Sequence, residues 1–465
     1  MSKFDFLNYQ STFSWRYGSE EMRKIFSEEN KYKIWRKIWV ALAKAEAKAG
    51  LVSKEELNDL EKNQENIDIA AILENEKETK HDVVAAIREF ADKAKVGGGK
   101  VHLGATSMDI VDNTDAVRVK EGLQIIEEKV KGLLEILSGK IERYADMPCM
   151  GYTHLQPAEP TTVGYRLSFY AQDLLTDFHF LQFIKKEIRA KGMKGAVGTA
   201  ASYAAVLEGT NVKAEELEKA VMEELGIEAA TISTQVASRK YDYLVLSVLN
   251  SIASSLAKFA GDLRILQSPS IGEWSEPFGE KQVGSSAMPF KRNPISAEKI
   301  CSLARYVAAL PTVALENATL SYLERTLDDS ANKRIVMAEG FLAVDEILET
   351  GKKLMNGLVV NEQKVEFNLS QYGPFAATEG ILVAAVKNGA DRQAMHETLR
   401  NISLKAWQEV QTGKVNPMGD LLTENEEIKK YVPEETIKKL LDVTHHIGTA
   451  QQRALKLVEE IRKIA

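Results

Sequence analysis

Apolar residues recur along this chain at alternating steps of four and three. Val245, Leu249, Ile252, Leu256, Phe259, Leu263 and Leu266 form one such series, and Val119, Leu123, Ile126, Val130, Leu133 and Leu137 form a second. Val163, Leu167, Tyr170 and Leu174 begin a third. A 3.5-residue repeat predicts long helices that cross at about +20° in a left-handed bundle. At about 1.5 Å per residue, each should run on the order of 35–45 Å. Proline placement agrees, because proline removes a helical N–H and clashes with the preceding turn. None of the 11 prolines falls between Met1 and Met147, or between Thr161 and Ser268. No alternating apolar–polar run bounded by turn residues stands out. The expected fold class is all-α, with a central bundle of long helices.

Three segments are expected. Residues 1–107 hold shorter helices, among them the Ala-rich IWVALAKAEAKAG with Gly50 placed to end it. This segment closes on Gly97-Gly98-Gly99. Residues 108–360 carry the long helices. Residues 361–465 return to shorter ones, punctuated by Pro374, Pro417 and Pro433. One stretch breaks the helical rule: Ser268 to Pro294 contains four of the 11 prolines plus Gly272, Gly279 and Gly284. So long a loop in a helical bundle is a lid or a linker. Its glycine hinges and its Ser, Lys, Arg and Asn content favour a lid.

Composition narrows the function classes. Among 465 residues, 60 Lys+Arg against 67 Asp+Glu give a net charge of −7. With 44% apolar and 27% charged residues, the chain is globular rather than disordered or fibrous. Its length suggests two to four domains. An acidic balance argues against general nucleic-acid binding, which rests on excess Lys and Arg. Two cysteines, Cys149 and Cys301, cannot build a disulfide framework, so a reducing, cytoplasmic setting is expected. The start, MSKFDFLNYQ, lacks an apolar signal core, and no uncharged apolar run reaches 18 residues. Neither secretion nor a membrane span is expected.

Candidate chemistry sits in polar stretches that interrupt or open helices. GGGKVHLG satisfies neither common phosphate-loop pattern, and no Cys/His spacing suggests structural zinc. His445 and His446 are adjacent and point different ways, as surface residues do. Four stretches remain: Thr79-Lys80-His81-Asp82, Gly104 to Asp109, Gly151 to Pro157, and the lid. A fifth is the dense polar run from Glu324 to Arg334, ERTLDDSANKR.

Helix starts expose unpaired N–H groups and a positive dipole end, which suit carboxylates and phosphates. Thr106 and Ser107 read equally as simple helix caps. His154 is either a bonded core histidine or an acid/base group, and His81 beside Asp82 has the same two readings. Ser285 and Ser286 look like ordinary loop serines. The grouping of Lys291, Arg292, Arg325 and Arg334 favours anion binding over a solvated basic face. Asp112, Asp115, Asp328 and Asp329 could hold Mg²⁺ against a diphosphate, as isoprenoid synthases do. The nearer reading is charge at a helix start for the first pair, and ion pairing with Arg325 or Arg334 for the second.

Taken together, these stretches resemble the fumarase/aspartase superfamily. Gly284-Ser285-Ser286-Ala287-Met288-Pro289-Phe290-Lys291-Arg292-Asn293-Pro294 matches its signature GSSxMPxKxNP. His81-Asp82, the LGATS turn, Thr153 to Ala158 and ERTLDDSANKR resemble the branch that acts on a purine nucleotide. They span the chain in order from Arg16-Tyr17 to Arg334, whereas the C-terminal quarter adds little.

The resemblance implies a three-domain all-α subunit in a homotetramer whose active sites draw on several subunits. It implies release of fumarate from adenylosuccinate and from the succinyl-carboxamide imidazole ribotide, with no cofactor and no metal. By position, Ser285 resembles the general base, His154 the general acid, and Glu298 the acidic residue that orients the catalytic histidine. Lys291, Asn293, Thr106 and Ser107 would hold the succinyl carboxylates, and Arg16, Tyr17, Arg325, Ser330 and Arg334 the phosphate. Lys80, His81, Asp82 and Gln235 would line the nucleotide and succinyl pocket, with His81 also a catalytic candidate. Lys80 and Lys299 stand where some relatives carry Arg, and Phe290 replaces a residue that is commonly His, Tyr or Gly. Three rivals stay open: another fumarate-releasing lyase such as argininosuccinate lyase, a non-catalytic helical scaffold, and the Mg²⁺ synthase.

Overall fold

The structure, a computed structural model, describes residues 7–464. The chain is mostly helical, and its long helices are those the repeats predict. They are Ser107–Arg143, Val163–Glu187, Lys240–Leu266, Ile295–Leu320 and Ser330–Gly357. The first, with 37 residues, is about 55 Å long. Every member of the three apolar series is buried. Lys240–Leu266 is long and apolar enough by composition to cross a membrane, yet its repeat face is covered by protein. Pro311 lies inside the Ile295–Leu320 helix, which gives up one backbone bond there.

The fold divides into two compact units, and the division falls inside each of the five long helices. The first unit comprises residues up to Lys129, Asp177–Ser254 and Ser302–Glu349. Its core includes the buried helix Glu28–Lys48, on which Tyr32, Trp35 and Trp39 make a ladder of edge contacts, with ring centroids 5.2 and 6.1 Å apart. Trp39 continues onto Phe90 at 6.1 Å. The helix ends where Gly50 adopts φ +78° just past its cap, as the sequence implies. The second unit comprises Val130–Thr176, Ser255–Cys301 and Thr350 onward. In it Tyr170 packs against Phe259 at 5.3 Å and Trp274 at 6.4 Å. A separate C-terminal cluster gathers Ile381, Ala385, Leu422, Ile428 and Ile437. Burying each such Ile or Leu is worth about 1.5–3 kcal/mol.

One expectation fails. The stretch around His154 does not open a helix; it is the tip of a β-hairpin formed by Pro148–Thr153 and Gln156–Thr162. Pro148, Pro157 and Pro160 bar a helix here. Burial along the strands does not alternate strictly, so the two-residue period that marks a strand is missing. A bulge interrupts the register between Met150 and Tyr152. There Gly151 is required, because a Cβ would sit 2.6 Å from the Glu159 carbonyl. The lid stretch also proves composite. Its first part is anchored, with Glu273 and Trp274 buried and Trp274-Ser275 paired to Val359-Val360. Its later part, from Glu280 to Arg292, is largely exposed.

Candidate active site

In the first unit, separate stretches of chain converge on one cavity of about 660 Å³. Lys80, His81 and Asp82 come from the junction between helices Ile69–Thr79 and Asp82–Lys93. Lys80 turns the chain at φ +52°, and His81 caps the second helix, its Nδ1 accepting from the Val84 N–H at 3.4 Å. Nδ1 is thereby occupied as an acceptor, which leaves the proton of the neutral ring on Nε2. Thr106 and Ser107 enter at the start of the Ser107–Arg143 helix, and Gln235 enters from a loop. Arg325, Ser330 and Arg334 complete the set around the start of the Ser330–Gly357 helix. Nine of the residues proposed from sequence thus share one wall. Arg16 and Tyr17 do not line this cavity; Arg16 is exposed and sits over the rings of Trp15 and Tyr17 at 5.7 and 5.9 Å.

The floor is a buried charge network that the sequence disclosed only in part. Asp112 accepts from Arg239 at 3.0 Å and from the Ala237 N–H at 2.7 Å. Arg239 also donates to Asp329 at 2.6 Å. Lys333 lies 3.2 Å from Asp115 and 3.3 Å from Asp242. Burial works against the charge on Asp112, yet Arg239 and Lys333 hold its carboxyl below the usual range. Burial likewise opposes the charge on Lys333, and the surrounding aspartates outweigh it. Three of the four aspartates considered as Mg²⁺ ligands are therefore engaged with cations: Asp112 with Arg239, Asp115 with Lys333, and Asp329 with Arg239 and Arg325, while Asp328 is exposed. Within this network Arg325 Nη1 and Thr326 Oγ1 are buried donors without a hydrogen-bond partner among the described residues. Unpaired buried donors are costly; Arg325 lines the cavity, and an anion there would satisfy its Nη1.

Asp109 organises the rim. Fully buried, it accepts from Thr106 N at 3.0 Å, Gly195 N at 3.2 Å and the Tyr203 hydroxyl at 2.9 Å, and it pairs with Lys191. The Lys191–Gly195 loop is thus fastened to the start of the Ser107–Arg143 helix. Nothing in the spacing marks Asp109 as different from other aspartates near helix starts. His102 lies nearby in the fold, accepting from Trp39 Nε1 at 3.1 Å; burial lowers its pKa to about 4, so the ring is neutral.

The second unit holds the remaining candidates. His154 and Leu155 form the two-residue loop of the hairpin, both in the left-handed region at φ +54° and +60°. His154 is exposed in the single chain. Ser285 is half-buried, and its Oγ accepts from the N–H groups of Ala287 at 3.3 Å and Met288 at 3.1 Å. Two N–H dipoles aimed at this oxygen favour its deprotonated form. Asn293 donates to the Gly284 carbonyl at 3.0 Å, closing the signature into a compact loop. A Cβ at Gly284 would come within 2.0 Å of the Lys291 carbonyl, so only glycine fits there. Lys291 and Phe290 are exposed. Glu298 pairs with Arg264 at 3.9 Å in the single chain, not with His154. The two other large cavities, of about 740 and 940 Å³, contain none of the proposed residues, although the larger includes Leu155 beside His154.

Solved structures share this fold. The 3-carboxy-cis,cis-muconate lactonizing enzyme of Pseudomonas putida superposes with a TM-score of 0.86 at 25% identity, covering 98% of this chain and 100% of that one. A fumarate lyase from Mesorhizobium sp. BNC1 follows at 0.84 and 22% identity, covering 97% and 99%. The fold and the signature loop define a lyase of the fumarase/aspartase type, and a family model described as "Lyase" matches residues 16–308. A second model, "Adenylosuccinate lyase C-terminus", matches residues 374–456, the region from which the sequence reading drew little. The adenylosuccinate lyase of Saccharomyces cerevisiae is 37% identical over 462 residues, 98% of this chain and 95% of that protein. The one from Methanocaldococcus jannaschii is 38% identical over 453 residues, 97% and 94%. The chain belongs to the adenylosuccinate lyase family.

Proposed function

We propose that this chain releases fumarate from adenylosuccinate, giving AMP, and from the succinyl-carboxamide imidazole ribotide, giving the carboxamide ribotide, in purine nucleotide biosynthesis. The observation that carries this reading is the convergence of nine residues from distant stretches on one cavity of nucleotide size, with half-buried Arg325 among them carrying a buried, unpaired Nη1 donor. Arg334 is already paired with Asp82 at 3.0 Å, and a substrate lacking phosphate would leave Arg325 Nη1 without an anion to bond.

In this reading Ser285, as its alkoxide, removes a proton from the carbon β to the C–N bond and becomes the neutral hydroxyl. The electron pair spreads into the adjacent carboxylate as a dianion, and Lys291, Asn293, Thr106 and Ser107 meet that charge. His154 protonates the departing nitrogen as the C–N bond breaks. The amides of Ala287 and Met288 stabilise the alkoxide, which raises the share of the serine in the form able to take a proton. Glu298 would orient the catalytic histidine, in the assembled enzyme rather than in the single chain. Arg16 and Tyr17 join the phosphate site. No step calls for a metal or cofactor, since the charge is met by side chains.

The reading includes a homotetramer with sites shared between subunits. Phe169 and Phe183 on one long helix and Ile335 on another are more than half exposed in the single chain, and apolar surface on bundle helices marks an interface. Exposed His154 and Lys291 need a partner's cover to work away from water. A three-segment organisation at 1–107, 108–360 and 361–465, and a cytoplasmic location, complete the proposal. Cys149 is buried with its thiol pushed up to about 11, which suits a reduced, inert cysteine. An ultraviolet assay of fumarate release from adenylosuccinate, run with EDTA, tests the whole. Activity that EDTA leaves intact is expected, and no release with the folded protein would refute it.

A further inference from the structure

We infer that Glu273, acting through Tyr152 and Arg166, is the positioning residue for His154; the inference rests on the assignment of His154 as general acid. His154 and Leu155 occupy a turn that usually carries Asn-Gly, because both positions need a positive φ. A non-glycine pair there is strained, and such strain persists only where the surroundings over-determine it.

Those surroundings are specific. Arg166 donates through one nitrogen to the Met150 carbonyl on the first hairpin strand, and through the other to Glu273 Oε2 at 2.7 Å. Glu273 Oε1 accepts from the Tyr152 hydroxyl at 3.1 Å and from Asn368 at 3.0 Å. Glu273 is fully buried, so its carboxylate is committed to these partners. Tyr152 stands two residues before His154, just past the bulge, so the network grips the strand where its register shifts.

Glu273 also belongs to the anchored base of the stretch that carries Ser285. Three residues on, Glu276 caps the helix after the signature, accepting from Ala297 N at 2.6 Å and Ser296 N at 3.2 Å. Its own N–H donates to Gln267 at 2.9 Å, and Gln267 donates to the Arg292 carbonyl at 3.0 Å. The segment bearing the base and the turn bearing the acid are therefore fixed to one short piece of chain, residues 273–276. Glu273 touches neither substrate nor reacting atoms in this scheme. It sets where the imidazole stands relative to the signature loop.

The test uses Tyr152→Phe, which deletes one hydroxyl and keeps the ring, and Glu273→Gln, which deletes the charge opposite Arg166. Fumarate release from adenylosuccinate is followed for the full-length protein. A misplaced acid lowers turnover rather than binding, and a displacement near 1 Å costs up to about 100-fold. Tyr152→Phe should lower kcat roughly ten-fold and Glu273→Gln roughly 100-fold, with KM within about two-fold. In a His154→Ala background, Tyr152→Phe should have no further effect, because the group it positions is gone. Ile437→Val, in the C-terminal cluster, serves as a comparator that lowers the melting temperature without lowering kcat. An active wild type whose kcat is untouched by Tyr152→Phe overturns the inference alone, as does an equal fall in the His154→Ala background. A folded wild type that releases no fumarate overturns the functional reading and this inference together. If Glu273→Gln does not fold, Tyr152→Phe decides.

Discussion

Glu46 offers a quantitative check on the packing of the N-terminal helices. It lies in the last turns of the Glu28–Lys48 helix, fully buried, and neither carboxylate oxygen has a hydrogen-bond partner among the described residues. Burial pushes its pKa from 4.5 to about 8, with Lys100 opposing only in part. The sign follows from proton counts. Between those values the folded chain holds a proton that the unfolded chain has released, so stability falls as pH rises toward 8 and is fully present below about 4.5. At about 1.4 kcal/mol per pH unit for one extra proton, the loss between pH 5.5 and 7.5 is on the order of 2–3 kcal/mol. Glu46→Gln mimics the protonated form at every pH. Urea unfolding, read by the fluorescence of Trp35 and Trp39 on the same helix, should give equal stabilities only below about pH 4.5. Between pH 5.5 and 7.5 the variant's advantage should grow by that amount. Comparing the two chains at each pH cancels every other titrating group. A difference that does not change with pH would mean that the carboxylate is ionised throughout, and the packing argument would be wrong.

Three further outcomes are expected. Arg325→Ala should raise KM for adenylosuccinate roughly 10- to 100-fold while kcat changes by only a few-fold, because a phosphate anchor acts on binding in ground and transition state alike; steady-state kinetics showing the reverse split would place Arg325 at the reacting carbon. His154→Ala and Ser285→Ala should each lower kcat by roughly 10²–10⁴, and mixed, refolded preparations of the two should regain part of the activity through hybrid sites, with light scattering reporting four times the monomer mass. Hybrids that stay dead would put both residues in one subunit's site or make one of them structural. AMP plus fumarate should protect the exposed Glu280–Arg292 stretch from protease, and equal cleavage with and without them would count against a closing lid.

The long helices were legible because their burial is periodic: one stripe per helix is covered, and the stripe repeats every 3.5 residues along the sequence. The hairpin was not legible. Its strands pair only with each other, and their burial does not alternate, so neither period is written into them. The motif residues could be found by resemblance, since the signature and the LGATS turn are short and local. What lies behind them could not. Asp109, Arg239, Asp242 and Lys333 act through partners 80 or more residues away, such as Lys191 for Asp109 and Asp112 for Arg239. A lone aspartate or arginine in a sequence carries no mark of such a partner.

The two groups of candidates differ in how completely one chain builds them. The cavity of the first unit is largely finished: the aspartates of its floor are paired with Arg239 and Lys333, its loops are fastened by Asp109, and Arg325 Nη1 and Trp35 Nε1 are donors of its lining that are buried and unmet among the described residues. The proposed acid and base are different. Ser285 already has its two N–H donors, so its loop is preorganised by the chain itself. His154 is aimed by a strained turn, yet it stands in solvent, where a histidine has no reason to protonate a leaving nitrogen rather than exchange with water. Strain and a buried Glu273 anchor on an exposed imidazole make physical sense only if something covers that imidazole when the enzyme works. In the proposed homotetramer that cover is a second subunit, and the exposed Phe169 and Phe183 are apolar surface available for such an interface. The complementation experiment therefore tests more than oligomeric state: it asks whether the position of His154, fixed at some cost within one chain, is meant for another.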